Sequence, residues 1–451
     1  MRTLINNRLV HIETFGCQMN ERDSEIMAQL MAAEGYIETA TPETADLIVV
    51  NTCSIRGKAE QKAMSLLGRY RKLKKRKPSL VVAVAGCVAQ QEGTALLERM
   101  THLDLVIGPQ EIYRLPELVA NIQGGSGQYC ATIQSPAFVI PPFLPELGNG
   151  PSHKRFVTIM QGCNNFCTYC VVPYTRGREI SREPADILAE VSHLAGLGVR
   201  EVTLLGQNVN SYGQDRPGLP SFAELLHQVA EIPGIARLRF TTSHPKGLSE
   251  ELMRCFADIP VLCPHFHLPM QSGSDAVLKR MNRKYTREEY LAKVAHLRAI
   301  RPDIAITTDI IVGFPGETEA DFEATMELLE VVRYHGAFSF KYSDRPHAAS
   351  AKFGDKVPEA VKSERLSRLQ ARQEKITFER KEKLVGTVTE VMIEGGSRNG
   401  DQWSGRTAAN FIVNFTSAET FTPGQLVTVR LGEACQNSFR GTIIQHEEQP
   451  A

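Results

Sequence analysis

Three short runs of apolar, β-branched residues near the amino terminus each end in a cysteine: "VHIETFGC" (10–17), "ADLIVVNTC" (45–53) and "SLVVAVAGC" (79–87). Helical stretches separate them, "DSEIMAQLMAAEGY" and "IRGKAEQKAMSLLGRYRKLKKRK", and a fourth strand is expected at "LDLVIG" (103–108). Strand–helix alternation leaves a chain few options besides a parallel sheet with crossover helices, so residues 1–125 are expected to form a doubly wound parallel-sheet domain. In such a sheet all strand carboxyl ends lie on one edge, where ligands bind. Cys17, Cys53 and Cys87 are therefore expected to converge on one site. Cys130, Cys255 and Cys435 share no such position and read as core thiols.

Residues 126–152 lie in a stretch rich in Gly, Pro and Ser and read as a linker. The alternation resumes over 153–384, with candidate strands at "RFVTIM", "EVTLLGQN", "RLRFTTS", "HFHLPM", "AITTDIIVGF" and "AFSFKYS". Six βα units with right-handed crossovers build a partial, TIM-like barrel. A long charged helix is expected at 357–384. Residues 385–451 change to short strands and turns, the pattern of a small antiparallel β-barrel.

The second domain opens on "QGCNNFCTYCVVPY", which places Cys163, Cys167 and Cys170 within eight residues just after its first strand. Structural zinc takes four ligands and usually pairs its cysteines as CxxC, and no second pair lies nearby. Three thiolates on an iron–sulfur cube leave one iron without a protein ligand, open to a small molecule bearing an amino group and a carboxylate. Three unrelated core thiols are the alternative, but core cysteines are not clustered in a polar loop. Cys263, His265 and His267 alternate along one strand and share a face; they line a barrel interior or, less commonly, hold a metal.

That loop, with Tyr169 directly before its third cysteine, resembles the signature of the radical S-adenosylmethionine (SAM) superfamily. The resemblance implies a 4Fe–4S cluster on the three cysteines, SAM chelated at the open iron, its cleavage to a 5′-deoxyadenosyl radical, and Tyr169 near the adenine. "LLGQNVNSYG" stands where the family binds the SAM amine, which points to Gln207 and Asn208. Ser243 in "TTSHP", Gln271 in "HLPMQSGS" and Asp309 in "TTDIIVGFPGET" are expected at strand carboxyl ends, the functional face of βα barrels. For each, an ordinary loop or cap hydrogen bond is the competing reading.

"TFGCQMNERDSE", "NTCSIRGKAEQK" and "AGCVAQ" resemble the amino-terminal domain of the methylthiotransferases, and the resemblance covers nearly the whole chain. It implies a second 4Fe–4S cluster on Cys17, Cys53 and Cys87, and a carboxy-terminal TRAM-type RNA-binding barrel. "QGCNNFCTYCVVPYTRGREISR", "LLGQNVNSYG" and "RFTTSHPK" look like the MiaB group, which methylthiolates carbon 2 of isopentenylated adenosine beside the anticodon of tRNA. The groups acting on threonylcarbamoyl-adenosine or on a ribosomal-protein aspartate read differently at these places and are the alternative within the same enzyme class. The implied partners are the tRNA anticodon stem-loop, a reductant such as flavodoxin or ferredoxin, and a sulfur or iron–sulfur donor protein. SAM would serve as both radical source and methyl donor. A zinc-containing RNA-binding protein without catalysis is the rival class. One departure stands out: "YSDRPHAASA" (342–351) occupies the place of the family's Arg-x-Gly-Thr-x-Ala.

Net charge is zero, so any contact with nucleic acid has to be local. "RYRKLKKRK" (69–77) is either a solvated helix end or such a contact. Arg176 and Arg178 in "YTRGRE" are expected within reach of a substrate phosphate. In "WSGRTAANFIVNF", Trp403, Arg406 and Asn410 combine an aromatic face with Arg, a common way to hold unpaired RNA bases, although Trp403 also suits a core. The start of the chain has no long apolar run and no stretch approaches ~20 apolar residues, so a cytoplasmic protein with no membrane contact is expected.

Overall fold

The computed structural model describes residues 8–54, 57–145, 153–241, 243–397, 400 and 402–444. The end of the expected linker and the last seven residues of the expected carboxy-terminal domain lie outside the described residues.

The first domain is a fully parallel six-stranded sheet in the order β2-β1-β3-β4-β5-β6. Its strands are β1 (Arg8–Thr14), β2 (Tyr36–Glu38), β3 (Leu47–Thr52), β4 (Val81–Gly86), β5 (Leu105–Ile107) and β6 (Tyr129–Ala131). Side chains alternate across a strand, and here the alternation sorts apolar residues between two cores. Leu47, Val49, Val81, Ala83 and Ala85 enter one, and Ile48, Val50, Val82 and Val84 the other. Burial on both faces is what requires an unbroken apolar run in a parallel strand. Two strands are additions to the sequence reading. β2 is a three-residue edge strand, and β6 falls inside the segment read as linker. Backbone pairing to β5 holds Tyr129, Cys130 and Ala131 there despite the surrounding Gly and Pro.

The second domain carries β7 (Lys154–Thr158), β10 (Glu201–Leu205), β11 (Arg237–Phe240), β12 (His265–His267), β13 (Ala305–Val312) and β14 (Gly336–Lys341). They form two parallel three-stranded sheets, β11-β10-β7 and β12-β13-β14. A single parallel bridge, Leu238 to Leu262, joins them into an open barrel. A short hairpin of β8 (Met160–Gln161) and β9 (Ile180–Ser181) brackets the three-cysteine loop. The charged helix Glu359–Glu382 buries Leu369 and Ile376 in the same core.

The third domain is a closed barrel in the order β15-β16-β17-β19-β18. Its strands are β15 (Val388–Gly396), β16 (Trp403–Thr407), β17 (Ile412–Thr416), β18 (Leu426–Ala434) and β19 (Phe439–Ile443). It is antiparallel except between β17 and β19, which pair parallel and close the barrel. This barrel docks on the strand-start side of the second domain: Arg237 donates to the Arg406 carbonyl, Arg239 to those of Thr407 and Ala408, and Lys154 pairs with Glu394. Among the described residues no helix is long and apolar enough to cross a membrane.

Candidate active site between two cysteine sets

Cys17, Cys53 and Cys87 follow β1, β3 and β4, three adjacent strands, as expected. Two glycines bring them together. Gly16 has φ +129°, and a Cβ there would lie 2.2 Å from the Cβ of Cys53. Gly86 has φ +89°, and a Cβ there would lie 2.4 Å from the Asn51 side-chain oxygen and the Thr52 carbonyl. Only glycine tolerates both conditions. Asn20, fully buried, donates through Nδ2 to the Thr52 carbonyl at 2.9 Å and to Asn51 Oδ1 at 3.1 Å, while its Oδ1 accepts from the Cys17 thiol at 3.4 Å. It ties the loop after β1 to the loop after β3.

Arg176 reaches this site from the second domain. Its Nη2 donates to Asp23 at 2.6 Å and to Asn20 at 3.2 Å. A hydrogen bond with Cys53, and then the Arg176 charge, bring the Cys17 pKa down to about 6 against the opposing effect of burial. Burial pushes Cys87 up, and Arg176 again opposes it. Cys17 is thus prepared as a thiolate, the form that binds metal.

In the second set, Cys163, Cys167 and Cys170 sense one another electrostatically; burial raises Cys163 to about 11 and Cys170 to about 12, and the neighbouring thiols add to it. Asn165 Nδ2 and Arg283 Nη1 each donate to a sulfur at 3.4 Å, Cys163 and Cys167 respectively. Arg283 is buried, its Nη1 also lies 3.4 Å from the half-buried Tyr169 hydroxyl, and Nη2 is anchored on the Pro269 carbonyl. Among the described residues no three His, Cys, Asp or Glu side chains gather tightly enough for a single metal ion. Three thiols in one loop with no fourth protein ligand suit an iron–sulfur cube that keeps one iron open.

Around the barrel's strand ends lies a row of buried polar atoms without hydrogen-bond partners among the described residues: Gln207 Nε2 and Asn208 Oδ1 after β10, Ser243 Oγ and His244 Nε2 after β11, and Gln271 Oε1 after β12. Buried polar atoms are normally satisfied, so this edge has hydrogen-bonding capacity for a polar ligand. Gln271 holds φ +66°, a costly conformation for a non-glycine residue. Burial drives the His244 pKa down to about 2, so its ring is neutral; Nδ1 accepts from Lys246, which leaves Nε2 as a donor. A cavity of about 130 Å³ lies beside Cys17, Ser54 and Cys87 of the first domain and is walled on the other side by Thr175, Arg176, Gln207 and Thr241 of the second.

Several sequence expectations need correction. Asp309 lies within β13 rather than at its end, with its carboxylate 3.4 Å from His267 Nε2. Of the two readings of Cys263, His265 and His267, the metal finds no support among the described residues: His267 bonds Thr307, and burial holds His265 neutral, its pKa at about 3. Arg176 is buried rather than presented at the surface, because Asp23 draws its guanidinium inward. Trp403 is committed to its own barrel, packed on Phe421 with its N–H donating to the Glu419 carbonyl. Arg406 is held by Glu394 and Asn410. The basic run ends the helix Gly57–Arg76, which runs back to the strand-start edge, so Lys74 and Lys77 pair with Asp104 and Asp46 there. It lies opposite the cysteines, as a helix end. Arg178 remains exposed beside the loop.

Asn20, Asp23, Arg283 and His244 were not singled out from sequence. Asn20 and Asp23 sit in "CQMNERD" directly after Cys17, and His244 in "TTSHP"; nothing local marks Arg283.

Comparison with known proteins agrees with this architecture. Residues 9–108 match the family model described as Uncharacterized protein family UPF0004, residues 157–329 the Radical SAM superfamily, and residues 382–444 the TRAM domain. The fold resembles the solved radical SAM methyltransferase TsrM from Kitasatospora setae, with TM-score 0.57 and 15% identity over 76% of this chain and 75% of that one. It also resembles the cobalamin-dependent radical SAM enzyme OxsB, with TM-score 0.53 and 12% identity over 82% and 57%. Fold and site together define a radical SAM protein with an added cysteine-bearing domain and a TRAM barrel.

The tRNA-2-methylthio-N(6)-dimethylallyladenosine synthase of Desulfotalea psychrophila is 53% identical over 98% of this chain and 100% of its own. That of Geobacter metallireducens is 53% identical over 98% and 99%. The chain belongs to the family of tRNA-2-methylthio-N(6)-dimethylallyladenosine synthases.

Proposed function

We propose that the protein is a radical SAM tRNA methylthiotransferase that places a methylthio group on carbon 2 of isopentenylated adenosine beside the anticodon. The observation that supports this is a cavity between Cys17 and Cys87 of the first domain and the Val172–Arg176 turn that follows the three-cysteine loop, with buried polar atoms along the barrel edge beside it. Cys163, Cys167 and Cys170 hold one 4Fe–4S cluster; Cys17, Cys53 and Cys87 hold the other. The first cluster, when bound with SAM, supplies the electron that yields methionine and a 5′-deoxyadenosyl radical.

The chain's own residues do the positioning. Gln207, Asn208, Ser243 and Gln271 direct their free polar atoms at SAM, and Tyr169 lies beside its adenine. Arg283 orients Cys167 and Tyr169 together. Arg176 places a fixed positive charge beside Cys17 and Cys87, where thiolates must be stabilised. The second domain thus generates the radical and the first presents sulfur. The reading requires a one-electron reductant such as flavodoxin or ferredoxin, a sulfur or iron–sulfur donor, and a cytoplasmic setting where tRNA is found.

The test is anaerobic reconstitution followed by assay on isopentenylated and unmodified anticodon stem-loops. Mass spectrometry should detect methylthio-adenosine only from the isopentenylated RNA. Product from neither, or equal product from both, overturns the reading.

A further inference from the structure

A base that reacts deep beside the three-cysteine loop has to leave the stack of its strand, and its neighbour then loses a stacking partner. The surface next to that loop offers a replacement. Phe166 lies between Cys163 and Cys167 at φ +49°, with its carbonyl held by Asn282 Nδ2 at 3.0 Å. The Arg178 guanidinium sits 4.3 Å from the centre of its ring. Tyr174 approaches Phe166 edge-on at 6.4 Å, and the His347 ring lies 6.1 Å from Tyr174 at 35°. Three chain segments therefore contribute one continuous run of rings.

Unlike the aromatic contacts of the core, this run is left at the surface. Tyr174 is 44% exposed, and Arg178 and His347 are exposed as well. His347 holds φ +68°, which glycine would adopt at less cost. The strain brings a ring to the end of the row, in the segment that departs from the family pattern. The barrel residues expected to stack on RNA, Trp403 and Arg406, are bound within the protein instead.

We propose that Phe166, Tyr174 and His347, with Arg178, form a stacking platform for the unpaired base that flanks the reacting adenosine. The inference rests on the substrate proposed above. Tyr174 and His347 take the base face, and Arg178 supplies charge for a neighbouring phosphate. Aromatic stacking is sequence-tolerant because every base has a π-face, so the platform holds the loop without reading it.

The experiment uses the reconstituted full chain and an isopentenylated stem-loop with 2-aminopurine next to the target. Stacking should quench the fluorophore on binding. Tyr174→Ala and His347→Gly should each lose most of that quenching and weaken binding by about tenfold, which is ~1.4 kcal/mol. Tyr174→Phe should keep both. His347→Gly relieves the backbone, so a folding defect does not account for its loss; iron content and melting temperature should match the parent. Unchanged affinity and quenching in both variants, at matched salt, overturns the platform. So does an equal loss on a fully duplex RNA, which would make the effect one of charge. If the parent itself fails to methylthiolate the stem-loop, the proposed function falls; if it succeeds and the variants bind like it, only the platform falls.

Discussion

Glu190 should be the most damaging single position outside the cysteines. Its carboxylate is fully buried and pairs on one side with Arg22 of the first domain and on the other with Arg182 of the second. Arg22 continues to Glu25 at 2.7 Å, and Glu25 to Arg155 at 3.3 Å, so the chain of charges crosses between the domains twice. In Glu190→Gln two buried guanidiniums, 1% and 2% exposed, share one neutral amide. Removing one partner of a buried ion pair costs about 3–5 kcal/mol. At roughly 2–4 °C per kcal/mol for a domain of 150–250 residues, the melting temperature should fall by about 6–20 °C. Arg22 rides on the helix that begins at Cys17, so loosening it should also raise the ratio of 5′-deoxyadenosine to methylthio product. Replacing the triad together with apolar residues (Arg22→Met, Arg182→Met, Glu190→Leu) should recover most of the stability, because the cost lies in stranded charge. Calorimetry decides: a Glu190→Gln melting within 1 °C of the parent, or a triple variant no better than the single, refutes the reasoning.

Cys53→Ala should keep SAM cleavage, lose methylthio product and bind about half the iron, two cubane clusters being assumed; unchanged iron content contradicts this. Cys167→Ala should abolish 5′-deoxyadenosine formation under reductant, and parental levels would show that the loop is not the radical site. In the metal-free protein Cys17 should be alkylated first. Its rate should rise with pH to half-maximum near pH 6, because its lowered pKa makes it a thiolate above that value, whereas Cys163 and Cys170, raised to about 11 and 12, stay protonated at pH 7. Mass mapping of the labelled thiols checks the order.

What sequence made legible were features whose cause is local. The unbroken apolar runs "LIVVNT" and "VVAVAG" mark strands buried on both faces, and a cysteine at the end of each strand states which edge it joins. Tyr36–Glu38 escaped because three residues carry too little pattern, and Tyr129–Ala131 because its order comes from pairing with β5 rather than from its own composition. Arg176 was misplaced for a related reason. Its charge and its position beside the loop were visible, but its destination, Asp23, lies 153 residues away on another domain. Trp403 shows the reverse limit: stacking and core packing ask for the same residue type, and only the contact with Phe421 and Glu419 separates them.

Residues 163–178 then face three demands at once. The loop supplies three thiols, and the one-turn helix Val172–Thr175 follows directly. Residues three apart share a helix side, and Val172 and Thr175 both line the cavity shared with Cys17 and Cys87. Tyr174, between them, is turned out to the surface, where its ring meets those of Phe166 and His347. Arg176 closes the turn and reaches into the first domain, while Arg178, two residues on, returns to the outside. Insertion of one residue after Cys170 would rotate this turn by about 100°. The tyrosine would swing towards the cavity, the threonine away from it, and the Arg176–Asp23 pair would break. The spacing from Cys170 to Arg178 is therefore as much a part of the site as the cysteines, and it fastens the three-cysteine loop, the cavity beside Cys17 and Cys87 and the outer ring row to a single turn of helix.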